Sequence, residues 1–208
     1  MADRDPLFTV VTYYTSDYKG DAARLAVSLA DLDIPKYFDR IATRGSWQAN
    51  IAYKPEFLWY MRRKLKGPIV WIDADAIVRS YPHEFDDLAD IKKISPNPFD
   101  LAVHYRRGKE LLSGTIWIND THGAREIIRN WWEAQGMTPD VWDQKTLAAV
   151  IRDFGQDARI YDLPAAYTFI FDLMKTESPD VEPVIEHFQA SRKARRRERI
   201  NPYPETLF

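Results

Sequence analysis

The stretch Ile69-Val70-Trp71-Ile72 is apolar at every position, with Gly67-Pro68 before it and Asp73 after it. A short apolar run between such boundaries fits a strand buried on both faces, the kind found in sheets covered by helices on each side. Leu7 to Tyr14 reads as another strand, rich in β-branched and aromatic residues after Pro6. Asp21 to Leu32 has apolar residues at helical spacing and stops ahead of Pro35. Tyr37 to Ala42 is a short second strand, and Pro55 to Leu65 is a helix with proline at its first position. Strand, helix, strand, helix, strand in that order predicts right-handed βαβ units and a parallel sheet.

After the proline-rich stretch Ser95 to Pro98, strands are expected at Leu101 to Tyr105 and Thr115 to Asn119. Helices are expected over His122 to Glu133 and Trp142 to Phe154. A last strand at Arg159 to Leu163 and an extended piece at Val184 to Phe188 complete the pattern. With 208 residues, no internal repeat and no separating linker, the expectation is a single α/β domain over residues 1–191. Its central sheet is expected to be mostly parallel and flanked by helices, with a basic tail over 192–208.

Composition removes several function classes. The chain has no cysteine, which excludes a disulfide framework, a thiolate zinc site and a cysteine nucleophile. No apolar run approaches the roughly 20 residues of a membrane helix, so no membrane span is expected. The charged opening Met1 to Asp5 is unlike a secretory signal, so a cytoplasmic protein is expected. A net charge of −2 gives no general reason for a polyanionic partner, although six of the eight residues from Arg192 to Arg199 are basic. Seven Trp and 11 Tyr supply rings that fill cores and also stack on bases and sugars.

Asp73-Ala74-Asp75 follows directly on the apolar strand, at the carboxyl end where open α/β sheets bind ligands. In an extended chain both carboxylates fall on one side, with Ala74 facing the other. Two carboxylates so close repel unless a cation lies between them, and a divalent metal with oxygen ligands suits the place. Such a metal can hold a diphosphate. The apolar flanks Val70-Trp71-Ile72 and Ala76-Ile77-Val78 make idle charge there costly. Arg44 and Lys54 precede the helix at Pro55, where cations oppose the dipole and call for an anion or solvent. A diphosphate answers for both, and a solvated lysine is the other reading of Lys54.

The segment PIVWIDADAIV resembles the DxD region of GT-A glycosyltransferases, including small bacterial and phage nucleotide-diphospho-sugar transferases. The resemblance extends through VTYYTSDY, RGSWQANIAYKP, LLSGTIWIND, WDQ and IEHFQASRK, in that order. It implies a GT-A, Rossmann-like fold and transfer of a sugar from a nucleotide-diphosphate donor, UDP-linked by expectation. It implies His187 as a third ligand beside Asp73 and Asp75, with Ser191 and Lys193 meeting the diphosphate. An imidazole with two carboxylates suits Mn2+, or Mg2+. Thr12, Tyr13, Tyr14 and Thr15 would receive the nucleoside, with one of the two tyrosines completing the core. Ser113 and Gly114, with Asp143 and Gln144, would line the pocket for donor sugar and acceptor; Asp143 is also a candidate helix N-cap. The Asp-Gln pair resembles retaining members.

The acceptor is expected to be a glycan or small molecule. DNA is the alternative that the basic run from Arg192 to Arg199 supports, as in a phage-type DNA-base glycosyltransferase. A noncatalytic nucleotide- or nucleic-acid-binding protein, using the aromatics and the tail, is a reading of another class.

Overall fold

The computed structural model describes residues 6–189, with the backbone alone for 92–94. In chain order the elements are β1 (Thr9–Tyr14), α1 (Lys19–Ala30), β2 (Lys36–Arg40), α2 (Trp47–Ala52), α3 (Lys54–Lys64), β3 (Ile69–Ile72) and β4 (Ala76–Val78). There follow α4 (His83–Ile94), β5 (Leu101–Arg106), β6 (Glu110–Ile118), α5 (His122–Met137) and α6 (Asp143–Phe154). The last are β7 (Ile160–Asp162), β8 (Phe169–Ile170), α7 (Phe171–Glu177) and β9 (Ile185–His187).

Strands in the order β2-β1-β3-β6-β5-β7 form a six-stranded sheet. β6 runs antiparallel to β3 and β5, while β1 pairs in parallel with β2 and β3, and β5 with β7. The sheet is therefore mostly parallel, as expected. Alternation along its strands sorts the core into two layers. Val11, Tyr13, Ile69, Trp71, Leu101 and Val103 join one layer with side chains of α3, α5 and α6. Val10, Val70, Ile72, Ala102 and Trp117 join the other with α1 and α4. β3 is buried at all its positions, which is why its sequence lacks polar residues. On α5 the buried residues Ala124, Ile127, Ile128, Trp131 and Gln135 recur at helical spacing, and Thr121 caps the helix by accepting the Ala124 N–H.

Several elements differ from expectation. β6 starts at Glu110, ahead of the strand expected at Thr115, because a turn with positive φ at Arg107 and Gly108 (52° and 66°) folds β5 straight back into it. Ser113-Gly114 consequently lies inside a strand. α2 was not anticipated; its first turn is held by Ser46 Oγ accepting from Ala49 N–H at 3.0 Å. α4 and α7 were not anticipated, nor was a second, three-stranded sheet in the order β4-β9-β8. In this sheet His187 pairs with Ala76 on one side and Ile170 on the other.

A polar contact ties the start of α5 to the residue before β5: the Thr121 hydroxyl donates to Asp100 Oδ1 at 2.5 Å. Asp100 is fully buried and accepts from the backbone N–H and guanidinium of Arg159. A Cβ built on Gly123, in the first turn of α5, would stand 2.6–2.7 Å from the Asp100 carboxyl atoms. Gly123→Ala gains at most about 1 kcal/mol of helix propensity. It forces a buried, paired carboxylate to move, and overpacking of this kind costs about 1–3 kcal/mol. The expected net result is a lower urea midpoint with an unchanged m-value; an unchanged or higher midpoint would show that Asp100 yields freely.

Candidate active site

The chain leaves β3 through a turn, not through the extended stretch expected for Asp73-Ala74-Asp75. The Ala76 N–H donates to the Asp73 carbonyl at 3.0 Å, turning the backbone from the large sheet toward the small one. The two carboxylates still come together, now with His187. Ligand atoms of Asp73, Asp75 and His187 all lie within 4.8 Å of one another. Strand pairing is responsible: β9 sets His187 opposite Ala76, and the Phe188 N–H donates to the Asp75 carbonyl at 3.3 Å.

His187 is buried, with Nε2 2.9 Å from the Thr115 hydroxyl. Burial pushes its pKa down to about 4, against the pull of Asp73 and helped by Lys54, so the imidazole is neutral near pH 7. In the tautomer whose Nε2–H donates to the Thr115 hydroxyl, the neutral ring has the Nδ1 lone pair left for a cation. Gly114 makes the room: a Cβ there would stand 2.9 Å from His187 Cε1, 3.1 Å from Nδ1 and 3.4 Å from Asp73 Oδ2. Two carboxylates and a neutral imidazole around this space fit a divalent cation of the Mn2+ or Mg2+ type.

Beside the triad runs a buried charge network. Lys54 is 4% exposed, and its ammonium is 2.7 Å from Asp143 Oδ2 and 3.1 Å from Asp73 Oδ1. Burial opposes this charge, but Asp143 and then Asp73 outweigh it, and the pKa lies above the ordinary lysine value. The Trp71 indole N–H also donates to Asp73 Oδ1 at 2.8 Å, and the Ser113 hydroxyl to Asp143 Oδ2 at 3.0 Å. Asp73 thus spends one oxygen on protein partners and has the other for a cation. Burial overturns the solvated reading of Lys54, and Asp143 and Asp73 supply the anions for which a diphosphate was expected. The N-cap reading of Asp143 is overturned as well: Trp142 is the cap residue, no side chain caps the helix, and Asp143 is the first helical residue. A carboxylate there still favours the helix dipole while it faces Lys54.

The cleft over this network is bordered by Tyr13, Tyr14, Thr15, Ser113, Gly114 and Gln144 among the expected residues. Tyr13 is the tyrosine that completes the core, with its hydroxyl donating to the Asn50 carbonyl at 2.6 Å. Thr12 is fully buried and stands outside the cleft lining. Arg44 is also outside it: exposed, with its guanidinium 3.9 Å from the centre of the Tyr53 ring. Ser191, Lys193 and the basic run Arg192 to Arg199 lie outside the described residues.

Sequence reasoning assigned no role to Tyr18, Trp47, Trp142 or Thr168, all of which border the cleft. The hydroxyls of Tyr18 and Thr168 are buried without a hydrogen-bond partner among the described residues. A buried hydroxyl left unpaired costs about 1–3 kcal/mol, which a ligand in the cleft can recover. Tyr18 sits in the quoted run VTYYTSDY, whereas nothing in the pattern around Thr168 distinguishes it from any buried threonine.

No family model and no curated protein matches the chain in sequence. Among solved structures it is similar to a glycosyltransferase involved in glycosylation of the major capsid of PBCV-1. That match has 15% identity and a TM-score of 0.69 over 93% of this chain and 98% of the other. It is similar to the glycosyltransferase GlyE of Streptococcus pneumoniae TIGR4, at 15% identity and a TM-score of 0.56, over 88% of this chain and 54% of that one. It is also similar to mouse xyloside xylosyltransferase 1, at 9% identity and a TM-score of 0.53, over 89% and 99% of the two chains. Likeness at such low identity speaks to architecture, and the architecture is a GT-A-like glycosyltransferase fold.

Proposed function

We propose that the protein is a metal-dependent glycosyltransferase that moves a sugar from a nucleotide-diphosphate donor, a UDP-sugar with Mn2+ or Mg2+, onto an acceptor hydroxyl. The observation that carries this reading is the convergence of Asp73, Asp75 and His187 in a cleft at the carboxyl edge of β1 and β3. The GT-A-like fold supports it. Among the described residues no helix is long and apolar enough to cross a membrane.

Asp73, Asp75 and His187 would hold the cation, which when bound neutralises charge on the departing diphosphate. The remaining work falls to the chain. Tyr14 and Tyr18 offer rings and a hydroxyl to the nucleoside at the end of β1. Lys54 and Ser113 fix the Asp143 carboxylate, and Gln144 adds an amide, so a sugar hydroxyl meets groups already oriented. An ion-paired carboxylate that also accepts a hydroxyl is a poor general base. Asp143 therefore suits sugar binding in a retaining reaction better than proton abstraction in an inverting one.

Release of nucleotide diphosphate from a panel of UDP- and GDP-sugars with Mn2+ tests the reading directly. Turnover should vanish in EDTA and return with Mn2+, and Asp75→Asn should cost at least about 100-fold. Full activity in chelator would falsify metal dependence. Gly114→Ala should keep the fold by circular dichroism yet weaken Mn2+ binding about 10–100-fold in a calorimetric titration, since the new methyl group crowds His187 and Asp73.

Lys54 allows a test on stability. Lys54→Met should cost roughly 3–5 kcal/mol in urea denaturation, the cost of leaving buried charge uncompensated. Adding Asp143→Leu should restore part of that loss, so the pair costs less than the sum of the single changes. Strict additivity would mean that the two groups do not interact.

A further inference from the structure

Both ends of the cleft are aromatic, and they differ in kind. Tyr14 ends β1 and Tyr18 lies in the segment that follows, both on the cleft, and Asp75 is the charge with the largest effect on Tyr18. Asp73 lies toward Lys54 and Asp143, and the residue before Asp143 is Trp142. Tyr18 thus goes with Asp75, a tyrosine end, and Trp142 with Asp143, a tryptophan end. A nucleotide sugar is also two-ended, with a base on one side of its diphosphate and a polyhydroxylated ring on the other. The carboxylate and amide that a sugar needs, Asp143 and Gln144, stand at the tryptophan end.

At that end Trp142 and Trp47 meet with ring centroids 5.9 Å apart and planes at 84°. Both border the cleft, and Trp142 is 40% exposed. Their contact joins α2 to the start of α6, and it leaves indole surface exposed on the cleft beside Asp143 and Gln144. We infer that Trp47 and Trp142 form the acceptor subsite, and that the acceptor is a saccharide whose ring lies against the indole next to the donor sugar. This rests on the transferase reading above.

The chemistry selects the class. A pyranose carries an apolar C–H face with slight positive character, which suits the negative face of an indole, while its rim hydroxyls need carboxylates and amides nearby. Gln144 supplies such an amide, with Nε2 3.5 Å from Glu110 Oε1. The charge around the pair is mixed, since Lys145 lies over Trp142 at 5.6 Å from the ring centroid and Glu110 stands on the other side of Gln144. A nucleic-acid backbone needs a row of cations, and among the described residues the rim of this pair is mixed in charge. An acyl chain needs a deeper apolar groove than a perpendicular ring pair beside a carboxylate network.

The test follows nucleotide release from the donor panel with Mn2+, alone and with methyl α- and β-glycopyranosides, maltose or lactose as acceptors. The wild-type protein should elongate at least one of these saccharides, with the product seen by mass spectrometry. Trp142→Ala and Trp47→Ala should lower the ratio of transfer to donor hydrolysis about tenfold through a raised saccharide KM, and Trp142→Tyr should recover most of it. Saturation-transfer NMR reads the subsite without turnover: ring protons of the same glycosides should receive saturation from the wild-type protein and lose it in Trp142→Ala. An unchanged ratio in alanine variants that melt cooperatively overturns the subsite and leaves the transferase reading standing. Elongation of a DNA oligonucleotide or a lipid phosphate, and of no saccharide, overturns it equally. If no donor is turned over at all, the transferase reading fails and the subsite with it.

Discussion

The ammonium of Lys54 joins three parts of the protein through one buried charge. It begins α3, reaches Asp73 at the end of β3, and reaches Asp143 at the start of α6. Removing a lysine from water is unfavourable unless its charge is met, so the fold must bring both carboxylates to it and hold them there. Meeting that demand fixes which oxygen of Asp73 is spent on the protein, where α6 begins relative to β6, and how Ser113 is oriented. The candidate cation site and the candidate sugar site share Asp73, Lys54 and Asp143 as one electrostatic unit.

A second constraint is steric. Gly114 sits within β6 opposite the exit from β3, and the Asp73 N–H donates to its carbonyl at 2.9 Å. At this point the large sheet, the turn and the small sheet approach too closely for a side chain. Glycine inside a strand usually weakens it, and here the loss of packing is what admits the His187 ring. The two constraints are complementary: one draws charges together, and the other keeps the space between them open.

Much of this was legible in the sequence. The apolar run Ile69 to Ile72 announced a strand buried on both faces, and Asp73 and Asp75 stood out because carboxylates at such a strand end need a reason. The helical spacing in α5 and α6 was equally plain. His187 was placed by resemblance, since local pattern says nothing about a pairing between segments so far apart. α2 escaped because its six residues are too few to carry a helical period. The small sheet escaped because strands of two or three residues have no readable alternation. Lys54 was seen as a cation in need of an anion, but that the anions were Asp73 and Asp143 is a fact of tertiary packing.

The antiparallel pairing of β4 with β9 also has a consequence in time. The large sheet is made from β1, β2, β3, β5, β6 and β7, so a chain emerging from the ribosome can complete it before β9 exists. Until β9 arrives, Asp73 and Asp75 face each other without their imidazole, and the space beside Gly114 is open to water. Closing so long a loop is entropically only modestly worse than closing a short one, yet it has to wait for the rest of the chain. The candidate cation site is thus completed late, by a strand of three residues, and a partly made or cleaved chain without β9 would carry the sheet and only the two carboxylates of that site.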